Sequence, residues 1–108
     1  MGFLVSFSGP VEIQAGLLWR ESVGDVLRQE RVGRGERLSD VAERAGLSAQ
    51  YLSEIERGRK EASSELLAAV CHGLGVSLAD VLIEAAGSMA IEEAIDEAVE
   101  ELTEMPAE

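Results

Sequence analysis

The chain has 108 residues, a length that accommodates one domain with short extensions and excludes two independent hydrophobic cores. A single cysteine, Cys71, and a single histidine, His72, exclude an internal disulfide and a zinc site built from cysteine and histidine. No apolar run approaches the ~20 residues that a membrane-spanning helix needs, and the first residues lack the basic region of a secretory signal. We therefore expect a cytoplasmic protein with no membrane partner.

The net charge of −12 is unfavourable for nucleic-acid binding, because contacts to phosphate need lysine and arginine. The charges are, however, unevenly distributed. All nine basic residues lie between residues 20 and 60, where eight acids nearly balance them, whereas residues 61–108 hold twelve acids and no base. This division indicates a functional face. The acidic block can equally be solvated surface, and both interpretations can hold at once.

The distribution of apolar residues predicts an all-α protein. Leu, Val, Ile and Ala recur at helical spacing over residues 20–104, and the only two prolines lie outside that stretch. Residues 1–19 form an N-terminal extension without helical period, for which a disordered arm, a strand that pairs with a partner and an added leader all remain open. Helix one is predicted to begin near Ser22, with Asp25 completing a capping box, and to end at Gly33 and Gly35.

Four further helices are expected in the central part of the chain. Helix two is predicted over residues 38–45, because apolar residues recur there at i, i+3, i+4 and i+7. Helix three follows with Ser48 as its N-cap. Helix four begins at residue 63 or 64, and helix five begins at Ser77, has Asp80 as its capping partner and ends near Gly87.

A sixth helix, within a C-terminal segment of residues 88–108, is predicted to be amphipathic, with an acidic face opposite an apolar stripe. We expect the stripe to pack between two subunits, because a five-helix domain does not need it and an isolated helix of this length is marginal in water. Packing back onto its own domain is the alternative. The predicted dimerisation residues are Ile91, Ile95, Ala98, Val99 and Leu102.

Residues 38–60, LSDVAERAGLSAQYLSEIERGRK, carry the most informative pattern in the chain. A helix, a glycine turn, a second helix and a basic loop follow one another. Ala42 is small where two helices must cross closely, and Gly46 permits the turn between them. These are the requirements of a helix-turn-helix, in which the second helix enters the major groove of DNA.

The outward face of helix three is short and polar, as a base-contacting surface needs to be. Gln50 can form a bidentate pair with adenine, and Ser53 or Glu54 can accept a hydrogen bond from cytosine. Glu54 could instead pair with Arg57 or Lys60, since a carboxylate near DNA repels phosphate. Hydroxyls and cations around this face are predicted to contact phosphate. The predicted DNA-binding residues are Arg37, Ser39, Ser48, Ala49, Gln50, Tyr51, Ser53, Glu54, Arg57, Arg59 and Lys60.

Residues 23–84 resemble the lambda-repressor-like, XRE-type helix-turn-helix family, on the runs SAQYLSEIERGRK and GLGVSLADVL. The longer run YLSEIERGRKEASSELLAAVCHGLGVSLADVLIEAAGSMA is similar, more narrowly, to actinobacterial regulators of Clp protease genes. The resemblance implies a five-helix domain over residues 20–87 with an additional C-terminal dimerisation helix. It further implies an activator of protease and chaperone genes.

The resemblance also implies an ion pair between Arg31 of helix one and Glu56 of helix three, which would lock the recognition helix to its neighbour. The chain departs from the family pattern in three places, one of which is Glu30 of helix one, where the family is usually apolar and Val26 is expected to supply the missing contact. Arg37 stands where the family usually has Ser or Thr as the N-cap of helix two, so that cap is expected to be weak. Ala49 and Gln50 replace a Pro-Gly pair that is common in the narrower group, so the bases contacted are expected to differ.

The sequence is therefore interpreted as a transcriptional regulator that binds a pseudo-palindromic operator as a homodimer, with half-sites about 34 Å apart. One alternative is a protein-interaction module of the same fold, whose acidic helix engages a basic partner such as RNA polymerase or a protease adaptor. A repressor or antitoxin also remains open. The resemblance further implies that Clp protease degrades the protein itself. No enzyme, cofactor or metal site is predicted, because the pattern offers no nucleophile–base set and no histidine near the acidic residues of the last helix.

Overall fold

The structure, a computed structural model, describes residues 19–104. The hypotheses about residues 1–18 lie outside this range, as does the tail after residue 104. Within the described range the chain forms helices only, which confirms the all-α prediction. The helices are α1 (Trp19–Gly33), α2 (Leu38–Ala45), α3 (Ala49–Glu56), α4 (Ser64–Leu74) and α5 (Leu78–Glu104).

One hydrophobic core holds the helices together. α1 packs against α3 and α5, whereas α2 packs against α3 and α4. Each of the five helices contributes at least one side chain that is almost completely buried, and full burial of such a side chain stabilises the fold by roughly 1.5–3 kcal/mol. The largest of these apolar side chains are Leu27, Leu52, Ile55, Val41, Val70 and Val81.

The serines at the starts of α3, α4 and α5 cap these helices, as predicted for Ser48 and Ser77. Ser48 accepts a hydrogen bond from the backbone N–H of Tyr51 at 3.0 Å, and Ser63 does the same from Leu66 at 3.2 Å. Ser77 accepts from the N–H of Asp80 at 3.3 Å. These contacts satisfy backbone donors that a helix N-terminus leaves without partners, so they fix where α3, α4 and α5 begin.

The prediction that Ser22 caps helix one was wrong, because α1 already begins at Trp19. Ser22 lies inside the helix, only 1% exposed, and its hydroxyl donates to the carbonyl of Ala85 in α5 at 2.8 Å. Asp25 accepts from Gln29 one turn further on, at 2.7 Å, and makes no capping contact. Ser22 is thus a buried link between α1 and α5, a role that depends on the tertiary structure.

The predicted break at Gly87 was also wrong, since helices five and six form the single helix α5. Ser88 does not cap a new helix, because its hydroxyl donates to the carbonyl of Glu84 at 3.2 Å. A glycine inside a helix costs about 1 kcal/mol relative to alanine, which a long helix with alanines nearby can absorb. The acidic amphipathic segment therefore exists as the second half of α5.

The second half of α5 leaves the packed domain. Ala85 is its last buried residue, and every described side chain beyond that point is exposed or half-buried. Among the described residues no single helix is long and apolar enough to cross a membrane; α4 and α5 have the necessary length and hydropathy only when taken together, across a bend of 106°.

Candidate nucleic-acid interface

α2, the turn after it and α3 form a compact unit. Gly46 ends α2 in the left-handed conformation, with φ 74°, and the N–H of Leu47 then donates to the carbonyl of Ala42 at 2.9 Å. A glycine adopts this conformation without the steric cost that a side chain would bring. Val41 of α2 and Leu52 of α3 are both fully buried. The turn and the shared core thus fix the position of α3 relative to α2.

On the outward face of α3 Gln50 is exposed, whereas Ser53 and Glu54 are half-buried. Ala49 and Tyr51 are also half-buried, because both pack against the hydrophobic core. The face therefore presents one long, freely exposed amide side chain near its N-terminus, with shorter or partly covered groups around it. An amide at this place can donate to and accept from the edge of a base in a major groove.

A basic loop, residues 57–60, follows α3. The N–H groups of Arg57 and Arg59 donate to the carbonyls of Ser53 and Glu54 at 3.0 and 2.9 Å, so the backbone of the loop continues the hydrogen bonding of the helix. The side chains of Arg57, Arg59 and Lys60 are exposed. Their positive charges are therefore held on a defined backbone at the end of α3, the predicted recognition helix.

The N-terminus of α2 exposes two more predicted residues, Arg37 and Ser39. Arg37 occupies the N-cap position and makes no capping hydrogen bond through its side chain. This agrees with the chemistry of a guanidinium, which can only donate, whereas the first N–H groups of a helix need an acceptor. The first turn of α2 is thus an uncapped helix start beside a free cation, which can serve an incoming anion such as phosphate.

Arg31 and Glu56, the pair implied by the resemblance, are in direct contact. Arg31 donates through Nε and Nη2 to the two carboxylate oxygens of Glu56, at 2.7 and 2.9 Å. It also donates to the carbonyl of Glu36 at 3.1 Å. The hydrogen bonds to Glu56 raise the pKa of the Arg31 guanidinium above its ordinary value. The bidentate geometry ties the end of α3 to α1 in a fixed orientation.

Few of the cations near the interface are neutralised within the chain. Across residues 19–104 the ion pairs are Arg31 with Glu56, Arg34 with Glu30, and Arg44 with Glu36. Those pairs leave the exposed cations at both ends of the helix-turn-helix available for phosphate, namely Arg37, Arg57, Arg59 and Lys60.

Two arginines gained a role that sequence analysis did not assign to them. Arg20 donates through Nε to the carbonyl of Gly58 at 2.9 Å. Arg44 pairs with Glu36 at 2.7 Å and donates to the carbonyl of Gly73 at 2.9 Å, which links α2 to α4. The hydrogen bond to Glu36 also raises the pKa of Arg44. Each of these partners lies outside the helix that carries its arginine, so the spacing of residues along one helix could not predict the contacts.

The apolar stripe predicted on the C-terminal segment is exposed along its whole length. Ile91 is 63% exposed and Leu102 is 69% exposed, although such side chains are normally buried. Ile95, Ala98 and Val99 are also exposed. The stripe therefore has no partner within the described chain.

A short helix, a glycine turn and a second helix with a polar exposed face, flanked by unpaired cations, define a helix-turn-helix DNA-binding domain. The geometry can place α3 in a major groove while the cations meet the phosphates on either side.

Comparisons with known proteins agree with this class. The family described as "Helix-turn-helix domain" matches residues 22–84. The chain is 55% identical over 76 residues to the transcriptional regulator ClgR of Mycobacterium tuberculosis, covering 70% of this chain and 68% of that protein. The crystal structure of the clp gene regulator ClgR from Corynebacterium glutamicum matches with a TM-score of 0.74 at 56% identity, over 80% of this chain and 92% of that one.

A more distant structure has the same fold: the restriction-modification controller protein C.Esp1396I matches with a TM-score of 0.58 at 26% identity, over 65% of this chain and 94% of that one. The chain belongs to the XRE-type helix-turn-helix family, and it is a DNA-binding transcriptional regulator. The resemblance drawn from residues 23–84 is thereby confirmed. The roles of the individual DNA-contacting residues stay predictions.

Proposed function

We propose that the protein binds a pseudo-palindromic operator as a homodimer in the cytoplasm and activates genes of Clp proteolysis and the stress response. The observation that carries the DNA-binding part is the exposed face of α3, with Gln50 free and the cations of the basic loop unpaired. The target genes are inferred from similarity to ClgR, whose crystal structure is described as that of a clp gene regulator.

The homodimer is supported by the unpartnered stripe on α5. A symmetric dimer would bury the apolar side chains of both copies against each other and place two copies of α3 on one duplex. Two recognition helices related by a two-fold axis require half-sites related by the same axis, about one helical turn apart. RNA polymerase, as the target of activation, and Clp protease, as the enzyme that degrades the regulator, are further proposed partners.

Selection of binding sites from a random duplex pool tests this function. We expect enrichment of a pseudo-palindromic site, with an affinity that falls steeply as salt rises because cations of the protein displace counterions from phosphate. Gln50→Ala is expected to cost about 1–3 kcal/mol at the contacted base and to relax the sequence preference there. Arg57→Ala is expected to weaken binding to every sequence and to reduce the salt slope by about 1.

Arg28→Ala provides the matched control, because Arg28 is an exposed residue of α1 and its substitution removes the same charge. It is expected to change affinity and salt slope less than Arg57→Ala does. If no duplex is enriched at near-physiological salt, the proposed function is wrong. Equal effects of Arg28→Ala and Arg57→Ala would reduce the role of the basic loop to general electrostatic attraction.

A second candidate function rests on α5. Its stripe of exposed apolar side chains next to an acidic face fits a protein-interaction module that binds a basic protein partner. Under that hypothesis, a variant with Gln50, Arg57, Arg59 and Lys60 all changed to Ala keeps its function in the cell. Under the proposed function this variant loses it.

A further inference from the structure

The first turn of α1 reaches across to the end of the recognition helix. Arg20 donates through Nε to the carbonyl oxygen of Gly58 at 2.9 Å, a contact between residues 38 positions apart in the chain. Gly58 is buried, although the residues on either side of it are exposed. The basic loop is therefore anchored at its second residue, and the anchor is a side chain of a different helix.

The backbones at this contact approach more closely than side chains would permit. Gly58 has φ +73°, and a Cβ atom built on it would lie 2.8 Å from Cα of Glu21. One turn further along α1, a Cβ atom on Gly24 would collide with the carbonyl oxygen of Ile55. α1 thus touches the last turn of α3 and the loop directly, backbone to backbone, next to the Arg20 hydrogen bond.

A shallow cleft beside the loop is lined by Trp19 and Arg20 of α1 together with Lys60 at the end of the loop. We infer that Arg20 is a positioning residue for phosphate binding: it acts through the Gly58 carbonyl to hold the basic loop in the conformation that presents Arg57, Arg59 and Lys60. This inference rests on the proposed DNA binding.

Amide hydrogen exchange on the full chain without DNA tests the positioning itself. The variant Arg20→Met keeps the length of the side chain but removes the donor and the charge, and Arg28→Met is the charge-matched control. We expect the Arg57 and Arg59 amides to exchange about 3- to 10-fold faster in Arg20→Met, the equivalent of one lost hydrogen bond. The Leu47 amide, in the turn after α2, is expected to keep its rate. An unchanged rate at Arg59 would overturn the inference.

Binding to a duplex of arbitrary sequence at low salt tests the consequence, because phosphate contacts do not depend on sequence. Arg20→Met is expected to lose about 3- to 10-fold more affinity than Arg28→Met. Equal losses, together with faster exchange at Arg59, would show that the loop moves without consequence for DNA, which also overturns the inference. If the wild-type protein binds no duplex while exchange at Arg59 still responds, the proposed function fails and the tether between Arg20 and the loop stands.

A third variant, Arg20→Lys, separates charge from position, since it keeps the charge and a hydrogen-bond donor. It is expected to recover most of the affinity together with most of the protection at Arg59. If Arg20→Lys recovers DNA affinity but not the slow amide exchange at Arg59, the loss of charge explains the lower affinity of Arg20→Met, and the inference is wrong. Arg20 is exposed, so each variant is expected to fold, and far-UV circular dichroism checks this.

Discussion

Single side chains fix the recognition helix to the rest of the domain. The Arg31–Glu56 pair is the strongest such link, because both side chains are largely buried, 15% and 5% exposed, and both carboxylate oxygens accept a hydrogen bond. The hydrogen bonds to Glu56 raise the pKa of the Arg31 guanidinium. The stability that this raised pKa contributes is therefore present throughout the neutral range and is lost only when the pH rises above the strongly alkaline pKa of arginine.

A double-mutant cycle on Arg31→Met and Glu56→Gln measures this link. We expect a coupling energy of about 1.5–3 kcal/mol from urea unfolding, since hydrogen bonds to charged groups contribute about that much. The pair Arg34 and Glu30 is the control, because it is one helical turn apart on an exposed surface and is expected to couple by only about 0.3–0.5 kcal/mol. Equal coupling energies for the two pairs would contradict the role of Arg31 and Glu56 as a clamp.

The N-termini of the helices affect both the stability of the domain and its expected binding to DNA. α3 and α4 begin at a serine whose side chain accepts a backbone hydrogen bond, whereas α2 begins at Arg37, whose side chain does not. A cap of the Ser or Thr type contributes about 1 kcal/mol. The chain thus carries a weaker helix start at the place where a cation is exposed toward the candidate interface.

Replacing Arg37 by Ser is expected to raise the stability of the domain and to lower its affinity for the operator. Arg37→Ser supplies the missing acceptor, so the free energy of unfolding is expected to rise by about 0.5–2 kcal/mol in urea titrations. The same change removes a cation, so operator affinity is expected to fall and the salt slope to drop by about 1. Arg37→Ala, which removes the cation without adding a cap, is the control: it loses affinity and gains no such stability. Wild-type affinity and slope in Arg37→Ser would show that Arg37 does not contact phosphate.

Local signals explain which elements the sequence could predict. Gly46 and Ser48 mark the end of α2 and the start of α3 through contacts within a few residues, so the helix-turn-helix and its outward face followed from spacing alone. Ser22 and Gly87 were misinterpreted because each has the composition of a helix boundary, while burial against Ala85 and the continuity of α5 decide otherwise. Arg20 was missed because its partner lies 38 residues away.

The whole molecule combines a packed domain with a projecting helix. α5 is 27 residues long, which corresponds to about 40 Å, and its second half makes up much of the 58 Å length of the molecule. That half carries the unpartnered stripe among glutamates. Packing two copies along the stripe would bury the apolar side chains and bring like charges near one another, so salt is expected to strengthen dimerisation while it weakens DNA binding.

Placing a charge in the stripe tests the proposed dimer. Ile95→Glu keeps helix propensity but puts a carboxylate where the partner helix would pack, so the dimer dissociation constant is expected to rise by at least about 100-fold in sedimentation measurements. Ala90→Glu adds the same charge to an exposed position off the stripe and is expected to have a small effect. A wild-type chain that sediments as a monomer at high concentration, or an unchanged dimer in Ile95→Glu, would place the dimer interface elsewhere or remove it.

The separation of basic and acidic residues along the chain gives the protein an electric dipole as well as a net charge. Mobile ions screen charges beyond about 8 Å at physiological ionic strength, a distance far shorter than the 58 Å length of the molecule. A duplex that touches α3 therefore responds to the nearby cations and hardly to distant carboxylates of α5, although the chain as a whole carries −12. When the acidic end instead comes within that distance of the duplex, its carboxylates are repelled by the phosphates, so encounters in that orientation are disfavoured and those that present α3 are retained.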